Sequence, residues 1–113
     1  MPISTHILDL AGGRPAAGVR VRLERRTEGG RWIPVGEGQS DSDGRVDKWV
    51  GATAVVGGGT YRLRFDTADY FARQDIRAFF PEVQVTFEIA AGAAQCHGPL
   101  LLSPYGYSTY RGS

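Results

Sequence analysis

Apolar and polar residues alternate along much of this chain with the period of two that places successive side chains on opposite faces of a β-strand. Val83, Val85, Phe87 and Ile89 alternate with Gln84, Thr86 and Glu88, the strongest such pattern in the sequence. Tyr61, Leu63 and Phe65 alternate with Arg62 and Arg64, and Val19, Val21 and Leu23 with Arg20, Arg22 and Glu24. Residues 5–10 predict a further strand with His6, Leu8 and Leu10 on one face and Ile7 on the other. Residues 32–38 predict an edge or bulged strand, because Pro34 lacks an amide donor. At the end of the chain, Ser108, Tyr110 and Gly112 alternate with Thr109, Arg111 and Ser113. That composition predicts a terminal strand lined up against something, not a frayed tail.

The segments between these runs carry turn chemistry. Residues 11–17 hold Gly12, Gly13 and Pro15, and Gly29-Gly30 predicts a hairpin turn. The run Ser40-Asp41-Ser42-Asp43-Gly44-Arg45 predicts a tight turn, with aspartates bonding local amides and Gly44 taking a positive φ. It faintly resembles a calcium loop, but the twelfth-position glutamate and the flanking helices are missing. Thr67 is a plausible N-cap for one short helix over residues 68–75, carrying Tyr70 and Phe71 and closed by Phe79-Phe80-Pro81. Residues 50–59 are too rich in glycine and alanine to predict an element. About seven or eight short strands with at most one helix argue for an antiparallel sandwich of two small sheets. With no repeat, linker or low-complexity tract, residues 1–113 form a single domain.

Composition narrows the function. With 13 basic and 12 acidic side chains the net charge is +1, which offers no field for nucleic acid or an anionic membrane. No apolar run approaches the roughly 20 residues that span a bilayer. Cys96 is the single cysteine and has no internal partner, in keeping with a reducing compartment. The N-terminus lacks the pattern of a signal peptide, and the C-terminus is not Ser-Lys-Leu, so a soluble cytoplasmic protein is expected.

Few residues are left to carry chemistry. No Cys-His spacing suggests a zinc site, no glycine-rich loop leads from a strand into a helix, and no Gly-x-Ser-x-Gly turn occurs. Neither a metal nor a cofactor is expected. The two histidines, His6 and His97, fall on the first and penultimate strands, which often pair in a sandwich. Parity groups His97 with Pro99, Leu101 and Ser103, so both histidines share strand faces with apolar groups. Read alone, they are two surface histidines near strand ends, and Arg45 a solvated turn residue.

Three separated blocks change that reading. Ser4-Thr5-His6-Ile7-Leu8-Asp9 with Gly13-Arg14-Pro15-Ala16, then Asp43-Gly44-Arg45, then Pro99-Leu100-Leu101-Leu102-Ser103-Pro104 with Gly106-Tyr107-Ser108-Thr109-Tyr110-Arg111-Gly112-Ser113 resemble the 5-hydroxyisourate hydrolase family, the transthyretin-related enzymes of urate breakdown. Tyr70-Phe71 and Phe80-Pro81-Glu82-Val83 extend the resemblance over nearly the whole chain, and the terminal Tyr-Arg-Gly-Ser is its most specific part. Gly98 stands where a β-branched residue is expected in the family, and Cys96 where an aromatic is expected.

The resemblance implies an all-β, transthyretin-like sandwich of two four-stranded antiparallel sheets with one short helix. It also implies a homotetramer, a dimer of dimers, with the sites at a subunit interface. The implied reaction opens a cyclic amide of 5-hydroxyisourate to give 2-oxo-4-hydroxy-4-carboxy-5-ureidoimidazoline. Carried onto this sequence, the functional residues are His6, Arg45, His97 and the C-terminal Tyr110, Arg111, Gly112 and Ser113. The histidines would share water activation and proton return, and Arg45 would polarise the substrate and stabilise negative charge. Tyr110 would contact the ring, and Ser113 would orient a histidine or the water. Arg111 would bind substrate or instead brace the terminal strand. The alternative is a non-catalytic carrier holding a small ligand in the same intersubunit channel.

Overall fold

The computed structural model describes residues 3–51 and 57–112. Two β-sheets pack face to face, with one short helix at the side. The first sheet is organised around β1 (Ile3–Asp9). Along one edge of β1 run β2 (Arg14–Pro15) and β5 (Arg45–Val46), both antiparallel to it. Along the other run β8 (Cys96–His97) and β9 (Leu100–Leu102), and β10 (Tyr107–Thr109) pairs with β9. The six strand segments therefore occupy four positions across the sheet, because two of those positions are each shared by two short pieces. The second sheet has the order β4 (Trp32–Gln39), β3 (Arg20–Arg26), β6 (Gly59–Phe65), β7 (Val83–Ile89).

One pairing departs from the antiparallel expectation. β1 runs parallel to β8 and β9. A parallel pair needs a long crossover, and here the connection includes the entire second sheet.

The alternation seen in the sequence becomes inside and outside. Ile3, Thr5, Ile7 and Asp9 of β1 face the interior, whereas Ser4, His6 and Leu8 face outward and are half-buried. Val21 and Leu23 of β3, Tyr61, Leu63 and Phe65 of β6, Val83 of β7 and Leu100 and Leu102 of β9 complete the core. Each such buried side chain contributes roughly 1.5–3 kcal/mol of apolar transfer free energy, which drives the two layers together. On β7 the strongest pattern in the sequence is only partly fulfilled. Val83 and Ile89 are buried, but Val85 and Phe87 remain half-exposed because β7 is an edge strand over an open end of the sandwich.

β4 is the other edge of that sheet, and its register slips opposite Leu23/Glu24, where Pro34 and Gly36 are partners and Val35 is extra. The missing amide of Pro34 is thus accommodated by both devices that it predicted. The helix differs from expectation. α1 is Thr67–Ala72, Thr67 lies inside it, and Asp66 precedes it without a side-chain cap bond. The Thr67 hydroxyl donates instead to the Phe80 carbonyl at 3.1 Å, tying the helix to the segment before β7. The helix stops early because Asp75 turns left-handed, at φ 58°, and the Ile76 amide bonds back to the Phe71 carbonyl at 3.0 Å. The buried Asp9 carboxylate accepts the Tyr70 hydroxyl and the Gly12 amide, each at 2.8 Å, and so joins the end of β1 to the helix. No helix among the described residues is long and apolar enough to cross a membrane.

Candidate active site

The site is assembled on the outward face of the first sheet, beginning with the turn before β5. Asp41 Oδ1 accepts the amides of Asp43 at 2.9 Å and Arg45 at 3.0 Å, and the Gly44 amide donates to the Asp41 carbonyl at 2.9 Å. The Arg45 amide, together with that of Asp43, holds the Asp41 carboxyl below the usual aspartate range despite some desolvation. This is an Asx-type turn, and the Ser40–Arg45 run serves it. Gly44 has φ 77°, and its carbonyl accepts the Ile7 amide of β1 at 2.7 Å. A Cβ at this position would collide with the Ile7 carbonyl and crowd Pro15 and Ala16. Glycine therefore lets the turn press against β1, and Arg45 arrives directly opposite His6 in the β1–β5 register. Directly opposed residues share a face.

His6 is fixed from its far end. Its Nε2–H donates to the Asp43 carbonyl at 2.9 Å. On the other edge of β1, His97 stands opposite Ser4 in the parallel β1–β8 register. Ser4 Oγ and His97 Nδ1 are 2.8 Å apart and hydrogen-bonded. The strand after His97 is pinned by two bonds, from the Gly98 amide to the Ser4 carbonyl at 3.1 Å and from the Thr5 hydroxyl to the Gly98 carbonyl at 2.7 Å. Partial burial lowers the His97 pKa, and the positive charges of Arg45 and His6 lower it further. Neutral imidazole is the favoured form near pH 7.

A cleft of about 260 Å³ opens beside Arg45 and His97, walled by Ser4, Arg45, Asp47, Gln95, Cys96 and His97, with His6 on the same sheet face but not among its walls. Its polar atoms are an arginine fork, an imidazole, an amide, a carboxylate and a hydroxyl. That set suits a small ring edged with carbonyl and N–H groups more than an apolar ligand.

Of the residues singled out by sequence, His6, Arg45 and His97 come together on one face of one sheet. Tyr110 and Arg111 do not wall this cleft but an adjoining one. Together with His97 they line a second, larger cavity of about 530 Å³ at the open end between the sheets, bounded by Val85, Phe87 and Ile89. The charge of Arg111 acts on Cys96, partly countering the burial that pushes the Cys96 thiol up. Cys96 pairs with Ile3 and so belongs to the inward side of β8. Ser113 lies outside the described residues. Gly112 bridges to His97, its amide donating to the His97 carbonyl at 2.8 Å. Ser4, Asp47 and Gln95 were not singled out by sequence. For Ser4 a signal existed, since two residues from His6 on the same strand means the same face.

Comparison with known proteins finds similarity over nearly the whole chain. Residues 3–112 fit the model of the HIUase/Transthyretin family. A 5-hydroxyisourate hydrolase of Salmonella typhimurium is 45% identical over 111 residues, covering 98% of this chain and 80% of that protein. Another, from Mus musculus, is 39% identical over 113 residues, covering 99% and 95%. Among solved structures, Klebsiella pneumoniae 5-hydroxyisourate hydrolase superposes with a TM-score of 0.80 at 37% identity, covering 98% of each chain. Sea bream transthyretin in complex with thyroxine superposes with a TM-score of 0.88 at 28% identity, covering 99% of this chain and 95% of that one.

Proposed function

The chain belongs to the HIUase/Transthyretin family, and from that membership and the chemistry of the outer-face cleft we infer that it hydrolyses 5-hydroxyisourate. The observation that carries the reading is the row Arg45, His6, Ser4, His97 across one sheet face. Opening a cyclic amide with water needs a base for the water proton, a positive group for the developing oxyanion and an acid for the leaving nitrogen. His97, favoured as the neutral imidazole, is assigned the base. Arg45, always charged, is assigned the oxyanion. His6 is assigned proton return to the nitrogen as the C–N bond breaks. The product is 2-oxo-4-hydroxy-4-carboxy-5-ureidoimidazoline.

The cleft in one chain is shallow and somewhat below the roughly 300 Å³ at which small-molecule sites begin. Tyr110, which lines the adjoining larger cavity, is 55% exposed. These features support a homotetramer in which a second copy closes the cleft, with Tyr110 contacting the substrate there and Ser113 orienting a histidine or the water. The setting we assign is the cytoplasm, in keeping with the unpaired Cys96.

A carrier reading is favoured by one observation, the higher backbone likeness to thyroxine-bound transthyretin. Backbone likeness does not fix function, and the sequence identity is higher to the hydrolase structure. The test follows the ultraviolet band of 5-hydroxyisourate, freshly made from urate, with and without the chain. Accelerated decay supports the hydrolase. Decay at the unaided rate, with saturable thyroxine binding, supports the carrier.

A further inference from the structure

We propose that Ser4 and Gly112 are positioning residues for His97, Ser4 setting the orientation of its ring through Nδ1 and Gly112 leaving the space in which the ring lies. The purpose of that orientation rests on the hydrolase reading above; the orientation itself is measured without it.

On the Ser4 side the register makes the two residues direct partners, and Oγ lies 2.8 Å from Nδ1. A neutral imidazole carries one N–H. With Nδ1–H donating to the Ser4 oxygen, the lone pair stays on Nε2. That nitrogen is then the one able to accept a proton from water. When Nε2 takes the water proton, the imidazolium still donates from Nδ1 to the same oxygen, so the bond persists through the step. The carboxylate or carbonyl that commonly orients a catalytic histidine is here replaced by an uncharged hydroxyl. The ring is held without an added negative charge, which would raise its pKa.

On the other side the terminal segment packs against the ring. A Cβ at Gly112 would lie 2.6 Å from His97 Cδ2, 3.1 Å from the His97 carbonyl oxygen and 3.2 Å from Pro99 Cδ. Gly112 is not among the positive-φ glycines, so space and not backbone conformation requires glycine here. Cδ2 is bonded to Nε2. A side chain at position 112 would therefore displace the reacting edge of the imidazole. The ring has little freedom to retreat, because bonds to Ser4, Thr5 and Gly112 hold the backbone at His97 and Gly98.

The experiment uses the full chain labelled with ¹⁵N-histidine, the variants Ser4→Ala, Ser4→Thr and Gly112→Ala, and steady-state kinetics on 5-hydroxyisourate. Expected in the wild type is a His97 spectrum dominated by the Nδ1–H tautomer. Ser4→Ala should mix the tautomers and lower kcat by about tenfold or more, the usual size of an orienting contact, with KM little changed. Ser4→Thr, which keeps the hydroxyl, should restore both the tautomer and the rate. Gly112→Ala should shift the His97 ring signals and lower kcat while the fold persists. An Nε2–H tautomer in the wild type overturns the role of Ser4, as does a Ser4→Ala variant with unchanged spectrum and rate. An unmoved His97 signal in Gly112→Ala overturns the role of Gly112. If the wild type lacked hydrolase activity, the functional reading would fall and the spectra alone would still decide the cradle.

Discussion

His6 and Arg45 stand directly opposite each other where β1 pairs with β5, although 38 residues separate them in sequence. What brings them together is Gly44, whose carbonyl accepts the Ile7 amide at 2.7 Å. Gly44→Ala combines a positive φ with a collision against the Ile7 carbonyl. It should destabilise the fold by about 1–3 kcal/mol and lower activity, because Arg45 moves with the turn. Urea unfolding of the variant checks the first effect, and kinetics below its unfolding transition check the second.

Arg45 itself is exposed on a two-residue strand. Arg45→Ala should leave stability within about 0.5 kcal/mol of wild type. It should reduce kcat/KM by about a hundredfold to a thousandfold, the loss that follows removal of an oxyanion-stabilising donor. Arg45→Lys should recover only part of the rate, since a point charge replaces a planar fork. Parallel melting curves and Michaelis–Menten measurements separate the two effects.

The environment of His97 makes a prediction about pH. Burial, then the charges of Arg45 and His6, lower its pKa. The acidic limb of the kcat/KM profile should therefore fall below the ordinary histidine value of about 6.5, and Arg45→Ala should move it upward. Stability follows the same shift. As pH drops through about 6.5 the unfolded chain takes up the His97 proton before the folded chain does. His97 therefore contributes stability above that pH which is lost progressively toward the lower folded-state pKa. A His97→Gln variant should show a flatter dependence of unfolding free energy over that window.

Gly98 occupies a place where the family resemblance anticipates a β-branched residue. A Cβ there would meet nothing within 4 Å, and the backbone is not in the positive-φ region. Glycine is not required at this position, and it leaves the unfolded chain with extra freedom. Gly98→Val should stabilise the protein by roughly 0.5–1 kcal/mol without loss of activity, measured as a higher denaturation midpoint with unchanged kcat.

Much of this architecture was legible from period alone. The alternations in β3, β6 and β7 and the turn at Gly44 are local signals, and they reappear in the structure. Local signals did not disclose that β1 and β8 run parallel, because pairing direction depends on the path of the intervening chain. They also misassigned Thr67, whose hydroxyl is drawn away by the Phe80 carbonyl, a tertiary partner 13 residues on. At the site, His6, Arg45 and His97 were recognisable by residue type and by resemblance. Ser4 was not, and Gly112 was marked only as part of the terminal tetrapeptide, because what each does lies in one hydrogen bond and one close approach to His97.

The central claim is that the histidines on this sheet face perform the hydrolysis. Its most direct test compares the decay of 5-hydroxyisourate with wild type, with a His6→Ala/His97→Ala double variant of equal folded content, and with no protein. The account predicts fast decay for the wild type and a rate at least about a hundredfold lower for the double variant, close to the unaided reaction. A folded double variant with the wild-type rate would contradict it, and so would a wild type no faster than the buffer.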